Sequence, residues 1–229
     1  MTKRILVINP NSTEAVTRAM DAALTGLRFS GGPVIDCATL AEGPPGIESQ
    51  TDSDGVVAPL CRLIEGVGSD ADAFVIACFS DPGLHAAREL GVGPIFGMAE
   101  CGMLMAMTLG DRIGVISILG RSIPRHARQF RALGVDSRVA GDLAVDLGVV
   151  ALADEAVTLE RMTSVGRRLR DAHGADVLVM ACAGMARYRE RLEQAVGLPV
   201  VDPTQAAVGF AIAAVGLGYR QFMGGVVPD

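Results

Sequence analysis

Two cysteines stand in matching settings. Cys78 closes the apolar run Ala73-Phe74-Val75-Ile76-Ala77 and is followed by Phe79-Ser80-Asp81-Pro82-Gly83; Cys182 closes Val177-Leu178-Val179-Met180-Ala181 and is followed by Ala183-Gly184-Met185. Each run reads as a buried strand that stops at a thiol and turns at once into a helix. A thiol placed there lies beside unpaired backbone N–H groups, whose dipoles favour the thiolate. A pair of such thiols suits proton transfer at carbon: one takes a proton from one face while its conjugate partner returns one to the other. With a free pKa of about 8.5, a thiol can be tuned close to neutrality and carries no charge when protonated.

The elements that hold these thiols repeat. Residues 4–8 predict a buried strand leading into the turn Asn9-Pro10-Asn11-Ser12-Thr13, with Ser12 or Thr13 as N-cap of a helix reaching about residue 27. A strand is expected over 33–38, then the loop Gly43-Pro44-Pro45-Gly46 with Ile47 behind it, and a helix over 52–66. After Cys78, Pro82 suits a first helical position; a short helix over 85–90, a strand over 93–97 and a helix over 99–109 follow. The pattern restarts at 111–117, with helices over 124–133, 153–172, 187–196 and 204–215 and a strand near Pro199.

Arg4 and Arg112, Cys78 and Cys182, and Pro94 and Pro199 are separated by 108, 104 and 105 residues. This predicts an α/β fold of two pseudo-symmetric lobes, each a small parallel sheet with helices on both faces. Residues 1–229 are expected to form one unit, with lobes over about 1–98 and 99–205 and the C-terminal helix, 204–216, free to pack back on the first. Ligands of such sheets bind beyond the carboxyl ends of the strands, so both cysteines are expected at the cleft between the lobes.

Composition excludes several classes. Of 229 residues 50% are hydrophobic and 4% aromatic, a profile of close-packed aliphatic layers. A net charge of −6, with no basic cluster beyond the solvated helix face at 161–170, argues against nucleic acid. No apolar run approaches the roughly 18 residues of a membrane span. Lys3-Arg4 precede only a strand-length apolar run, so no signal peptide is expected, and the five cysteines are expected as free thiols in a cytoplasm. The histidines at 85, 126 and 173 share no ligand spacing with cysteine, so no metal is expected. Cys37, Cys61 and Cys101 read as packing residues, and His85 and His126 as surface or helix residues.

The segments Ile8-Asn9-Pro10-Asn11-Ser12-Thr13, Ala77-Cys78-Phe79-Ser80-Asp81-Pro82-Gly83, Ala181-Cys182-Ala183-Gly184-Met185 and Val200-Val201-Asp202-Pro203 resemble, in order and across nearly the whole chain, the hydantoin racemases of the aspartate/glutamate/hydantoin racemase superfamily. The resemblance implies a cofactor-independent, oligomeric enzyme with Cys78 and Cys182 as acid and base toward a small molecule, without nucleic acid or membrane partners. The apolar residues Phe222 and Met223 near the C-terminus are expected to be exposed and to offer a contact surface.

Arylmalonate decarboxylases of the superfamily keep only the second cysteine; here both are present. Amino-acid racemases follow their cysteines with Asn-Thr and Thr-His/Glu. Phe79-Ser80 and Ala183-Gly184 stand there instead, which suits a neutral ring better than a free carboxylate. Expected substrate contacts are Asn9 and Asn11 at the ring's amide edge, Ser117 and Ile118 in the equivalent second-lobe place, and Ile47 as a wall. The backbone N–H groups of Phe79, Ser80, Ala183 and Gly184 are expected to hold an enolate oxygen. Allantoin is the nearest rival substrate. Behind it stand amino-acid racemisation, decarboxylation, a two-lobed binder without chemistry, and a redox dithiol.

Overall fold

The computed structural model describes residues 2–221, so Phe222 and Met223 lie outside the described residues. Its strands are β1 (Arg4–Asn9), β2 (Val34–Thr39), β3 (Ala73–Ile76), β4 (Ile95–Gly97), β5 (Ile113–Ser117), β6 (Val139–Ala144), β7 (Val177–Met180) and β8 (Val200–Val201). They form two parallel four-stranded sheets in the same order, β2-β1-β3-β4 and β6-β5-β7-β8. The register is also duplicated. Ile5 pairs with Ala73 as Ile113 pairs with Val177, and Phe74 with Ile95 as Leu178 with Val200. These are the positions that the offsets in the sequence equate.

The strands are apolar without alternation because both faces are covered. Ile5 and Val7 of β1, and Ile113 and Val115 of β5, face a central core common to both sheets. Leu6 and Ile8 face an outer core of the first lobe, and Ile116 an outer core of the second. The helices are α1 (Glu14–Ala23), α2 (Gln50–Gly55), α3 (Val57–Val67), α4 (Leu84–Glu89), α5 (Met98–Leu109), α6 (Ile123–Leu133), α7 (Glu155–His173), α8 (Arg189–Val196) and α9 (Pro203–Leu217). Leu60 and Ile64 of α3 close the first outer core, and Met162 and Leu169 of α7 with Leu192 of α8 close the second. Helices α5 and α9 follow equivalent strands, pack against each other and fill the central core. Helix α9 also rests on β1, β3 and β4. Among the described residues no helix is long and apolar enough to cross a membrane.

Three local expectations are corrected. Strand β6 went unpredicted: Val139-Ala140-Gly141-Asp142-Leu143-Ala144 contains Gly and Asp, and its residues are only half-buried at a sheet edge, so neither propensity nor an apolar run marks it. The helix expected over 52–66 breaks into α2 and α3 at Val56. Helix α4 begins at Leu84, with Gly83 left-handed at φ 68°, so Pro82 stands in the turn before the helix.

Gly102 of α5 sits where α5 and α9 touch; an added Cβ would lie 2.4 Å from Cβ of Pro203. In an open helix, Gly→Ala gains up to about 1 kcal/mol of propensity. Here overpacking, which costs about 1–3 kcal/mol, outweighs it. Gly102→Ala is therefore expected to lower stability, seen as an earlier midpoint in urea unfolding; an unchanged or later midpoint contradicts this account of the α5–α9 contact.

Candidate active site

Cys78 and Cys182 stand just beyond β3 and β7, and both line one cavity between the sheets. Both thiols are free and partly exposed, and the exposure is to this cavity. The cavity measures about 30 Å³, room for a water or two at roughly 10–15 Å³ each. A ring-sized ligand requires its walls to part.

The cavity is assembled crosswise. The turn after Cys78 belongs to the first lobe but is covered by α6 of the second. Phe79 meets His126 and Phe130 edge-on, with ring centroids 5.2 and 6.3 Å apart. Arg125 Nε donates to Ser80 Oγ at 2.9 Å, and Gln129 Nε2 to Asp81 Oδ2 at 3.0 Å. Reciprocally, α1 of the first lobe packs on the 3-10 turn Ala183–Tyr188 that follows Cys182, and Val16 of α1 joins the second lobe's core. Asp81 locks the first turn from beneath. It adopts a left-handed φ of 41°, costly for a non-glycine residue, and its carboxylate accepts the N–H groups of Ala99 and Glu100 at 2.8 and 2.9 Å.

The thiols do not have the lowered pKa expected of helix starts. Burial pushes Cys78 up to about 11 and Cys182 up to about 12. The backbone N–H of Ser80 opposes this at Cys78, and that of Gly184 at Cys182. These two positions are equivalent in the repeat. The correction is physical: removing a sulfur from bulk water penalises the thiolate more than one N–H recovers. The same two amides, expected to hold a substrate oxygen, are turned toward the sulfurs.

Of the expected contacts, Asn11, Ile47, Phe79, Ser80, Ile118 and Ala183 line the cavity with the cysteines. Asn11 Oδ1 is occupied by the N–H of Thr13 at 2.9 Å and by Asn9 Nδ2 at 3.0 Å, which leaves its own amide Nδ2 for a ligand. Asn9 and Ser117 lie behind the wall, fully buried. Asn9 braces Asn11 and Thr17, and Ser117 is held by His126 and Asp142. Gly184 is buried outside the cavity, beside Leu152.

Sequence reasoning missed Val16, Ser122, Arg125, His126 and Val149, all on the cavity wall. His126, expected at the surface or simply in a helix, is buried, with Nδ1 2.9 Å from Asp142 Oδ2. The available signal was positional. Helix α6 follows β5, so its first turn opens toward the strand ends where ligands of these sheets bind.

Two loops close the cavity, one from each lobe, through Ile47 and Val149. They touch at Gly46, where a Cβ would sit 2.8 Å from Val149 Cγ2. Glu48 ties them: Oε1 accepts the N–H of Val149 at 2.9 Å, and Oε2 pairs with Arg121 of the second lobe at 2.6 Å. Arg121 is largely exposed, so the ion pair contributes little; the charge-assisted bond to Val149 is the stronger tie. Among the described residues no group of three or more His, Cys, Asp or Glu is placed to hold a metal.

The profile of the Asp/Glu/hydantoin racemase family matches residues 5–211. A hydantoin racemase of Rhizobium meliloti is 37% identical over 218 residues, 94% of this chain and 90% of that protein. One of Paenarthrobacter aurescens is 36% identical over 221 residues, 95% and 93% of the two chains. Among solved structures, the allantoin racemase from Klebsiella pneumoniae superposes with a TM-score of 0.92 at 30% identity, covering 98% of this chain and 92% of that one.

Glu48→Ala removes the tie between the two loops and leaves the strands untouched. Hydrogen–deuterium exchange in peptides covering 43–49 and 145–153 is expected to quicken about tenfold, the loss of one charge-assisted bond, while peptides from β1 and β5 keep their rates. Unchanged exchange in both loops refutes the tie.

Proposed function

The chain belongs to the Asp/Glu/hydantoin racemase family, and on that premise we propose that it interconverts the enantiomers of 5-substituted hydantoins without a cofactor. The observation that carries this reading is the convergence of Cys78 and Cys182, from equivalent strand ends of opposite lobes, on one cavity. One sulfur, as thiolate, removes the C5 proton. The other, as thiol, delivers its proton to the opposite face, so the pair finishes with the roles exchanged and accepts the other enantiomer. Charge that builds on the adjacent carbonyl oxygen is within the chemistry of the Asn11 amide Nδ2, the donor its own turn leaves free.

Val16, Ile47, Ile118 and Val149 give the cavity an apolar side, which favours an apolar C5 substituent over the polar ureido group of allantoin. Allantoin is kept as the second reading on the strength of the 0.92 superposition. The five unpaired cysteines suit a reducing cytoplasm. Exposed Phe29, Val34, Leu217 and Tyr219 supply apolar surface for a homo-oligomer.

Polarimetry on single-enantiomer hydantoins with aliphatic or aromatic C5 groups, and on allantoin, tests this without added cofactor. The expected order is hydantoins above allantoin in kcat/KM; the reverse order selects the second reading, and no rotation change with any of them removes both. Cys78→Ser and Cys182→Ser are each expected to lower racemisation of both enantiomers by about 10²–10⁴ while leaving ligand affinity within a few-fold. A binder without chemistry predicts no rate to lose.

The pH profile follows from the raised thiols. Activity needs one sulfur ionised and one protonated, and the first ionisation lies near 11. The ionised fraction, and with it kcat/KM, is therefore expected to climb about tenfold per unit from pH 7 to 9. A profile flat over that range contradicts it.

A further inference from the structure

The duplicated lobes place their thiols equivalently, but the residues around them differ. The position two beyond Cys78 is Ser80; the position two beyond Cys182 is Gly184. The Ser80 hydroxyl accepts Arg125 Nε at 2.9 Å, and its own proton is free to turn toward the Cys78 sulfur. Arg125 is fixed at its other end by Nη2 donating to Ser122 Oγ at 3.3 Å, and Ser122 is fully buried. Arg125, Ser80, Ser122 and Cys78 all line the one cavity. Gly184 offers its sulfur an N–H and no hydroxyl, and the charges that bear most on Cys182 are those of Cys78, Glu48 and Asp202, all negative.

We propose that Arg125, acting through the Ser80 hydroxyl, makes Cys78 the first of the two thiols to ionise and leaves Cys182 as its protonated partner. Arg125 is then a positioning residue for charge. It sets which of two equivalent thiols begins as base, and so which enantiomer meets a ready enzyme. Around Cys78, Arg125 favours the thiolate and Asp81 opposes it; Arg125 itself faces Cys78, Asp52, Arg121 and Arg128. His126, the other titratable group on the same helix face, is engaged with Asp142 and Ser117. The proposal rests on the racemase reading for its catalytic meaning only. The order of thiol reactivity is measurable without substrate, so the two can fail separately.

The test is alkylation of the folded protein with iodoacetamide at pH 7.5, quenched over time and mapped by peptide mass spectrometry, with Cys37, Cys61 and Cys101 as internal controls. In the native chain Cys78 is expected to react faster than Cys182. A change of one pKa unit alters the thiolate fraction about tenfold, so Arg125→Gln is expected to slow Cys78 about tenfold and Cys182 by less than twofold. Ser80→Ala, which leaves the guanidinium in place, is expected to slow Cys78 by several-fold. Arg125→Lys is expected to restore a rate between those of Gln and native, as charge without the Nε contact should. Equal native rates, a faster Cys182, an unchanged Cys78 in Arg125→Gln, or Lys and Gln variants that behave alike would each overturn it. Loss of the far-ultraviolet helix signal in Arg125→Gln transfers the decision to Ser80→Ala and Arg125→Lys, whose outcomes stand by themselves.

Discussion

Enclosing two thiols in one small cavity is the constraint to which the rest of the site answers. A sulfur drawn out of bulk water holds its proton, and both Cys78 and Cys182 are pushed far above the free thiol. Proton transfer at carbon nevertheless needs a dry space, because water competes for the carbanion and exchanges its proton. The structure does not relieve this conflict by opening the cavity. It spends its nearest donors on the sulfurs: the N–H groups of Ser80 and Gly184, one per lobe.

The crosswise assembly follows from the same constraint. A lobe on its own exposes its thiol at a strand end, where a parallel sheet leaves an open crevice. Helix α6 covers the first lobe's turn and α1 the second's, so neither sulfur is enclosed until both lobes are docked. Docking is in turn secured by α5 against α9, whose central core belongs to neither lobe alone. Asp81 joins the two requirements in one residue. Its carboxylate caps the start of α5 while its left-handed backbone sets the turn that carries Cys78.

What the sequence made legible was whatever repeats and whatever is apolar. Strands β1, β3, β5 and β7 carry uninterrupted apolar runs because both of their faces are buried, and their spacing reproduces the duplicated register. Edge strand β6, half-buried and interrupted by Gly141 and Asp142, had no such mark. Within the site, Asn11, Ile47, Phe79, Ser80, Ile118 and Ala183 could be placed because they adjoin strand ends or the Pro-Pro-Gly loop. Arg125 and His126 could not, since their meaning depends on which lobe α6 covers. That is a tertiary fact with no local signature.

Duplication supplies equivalent positions but does not require equivalent surroundings, and the walls have diverged in a chemically directed way. Behind the first lobe's edge of the cavity, Asn9, Thr17 and Thr39 form a neutral chain, with Thr17 and Thr39 hydroxyls 2.6 Å apart. Behind the second lobe's edge stand Ser117, His126 and Asp142, a chain built on an imidazole and a carboxyl group. Beside the thiols the bias runs the other way, with a hydroxyl and a guanidinium near Cys78 and a bare glycine near Cys182. Strict symmetry would leave two thiols of equal proton affinity, each raising the other through its charge, with neither designated to ionise. On the proposed reading, breaking the symmetry at Ser80 and Gly184 is what assigns the first proton transfer, without moving either sulfur from the geometry that duplication provides.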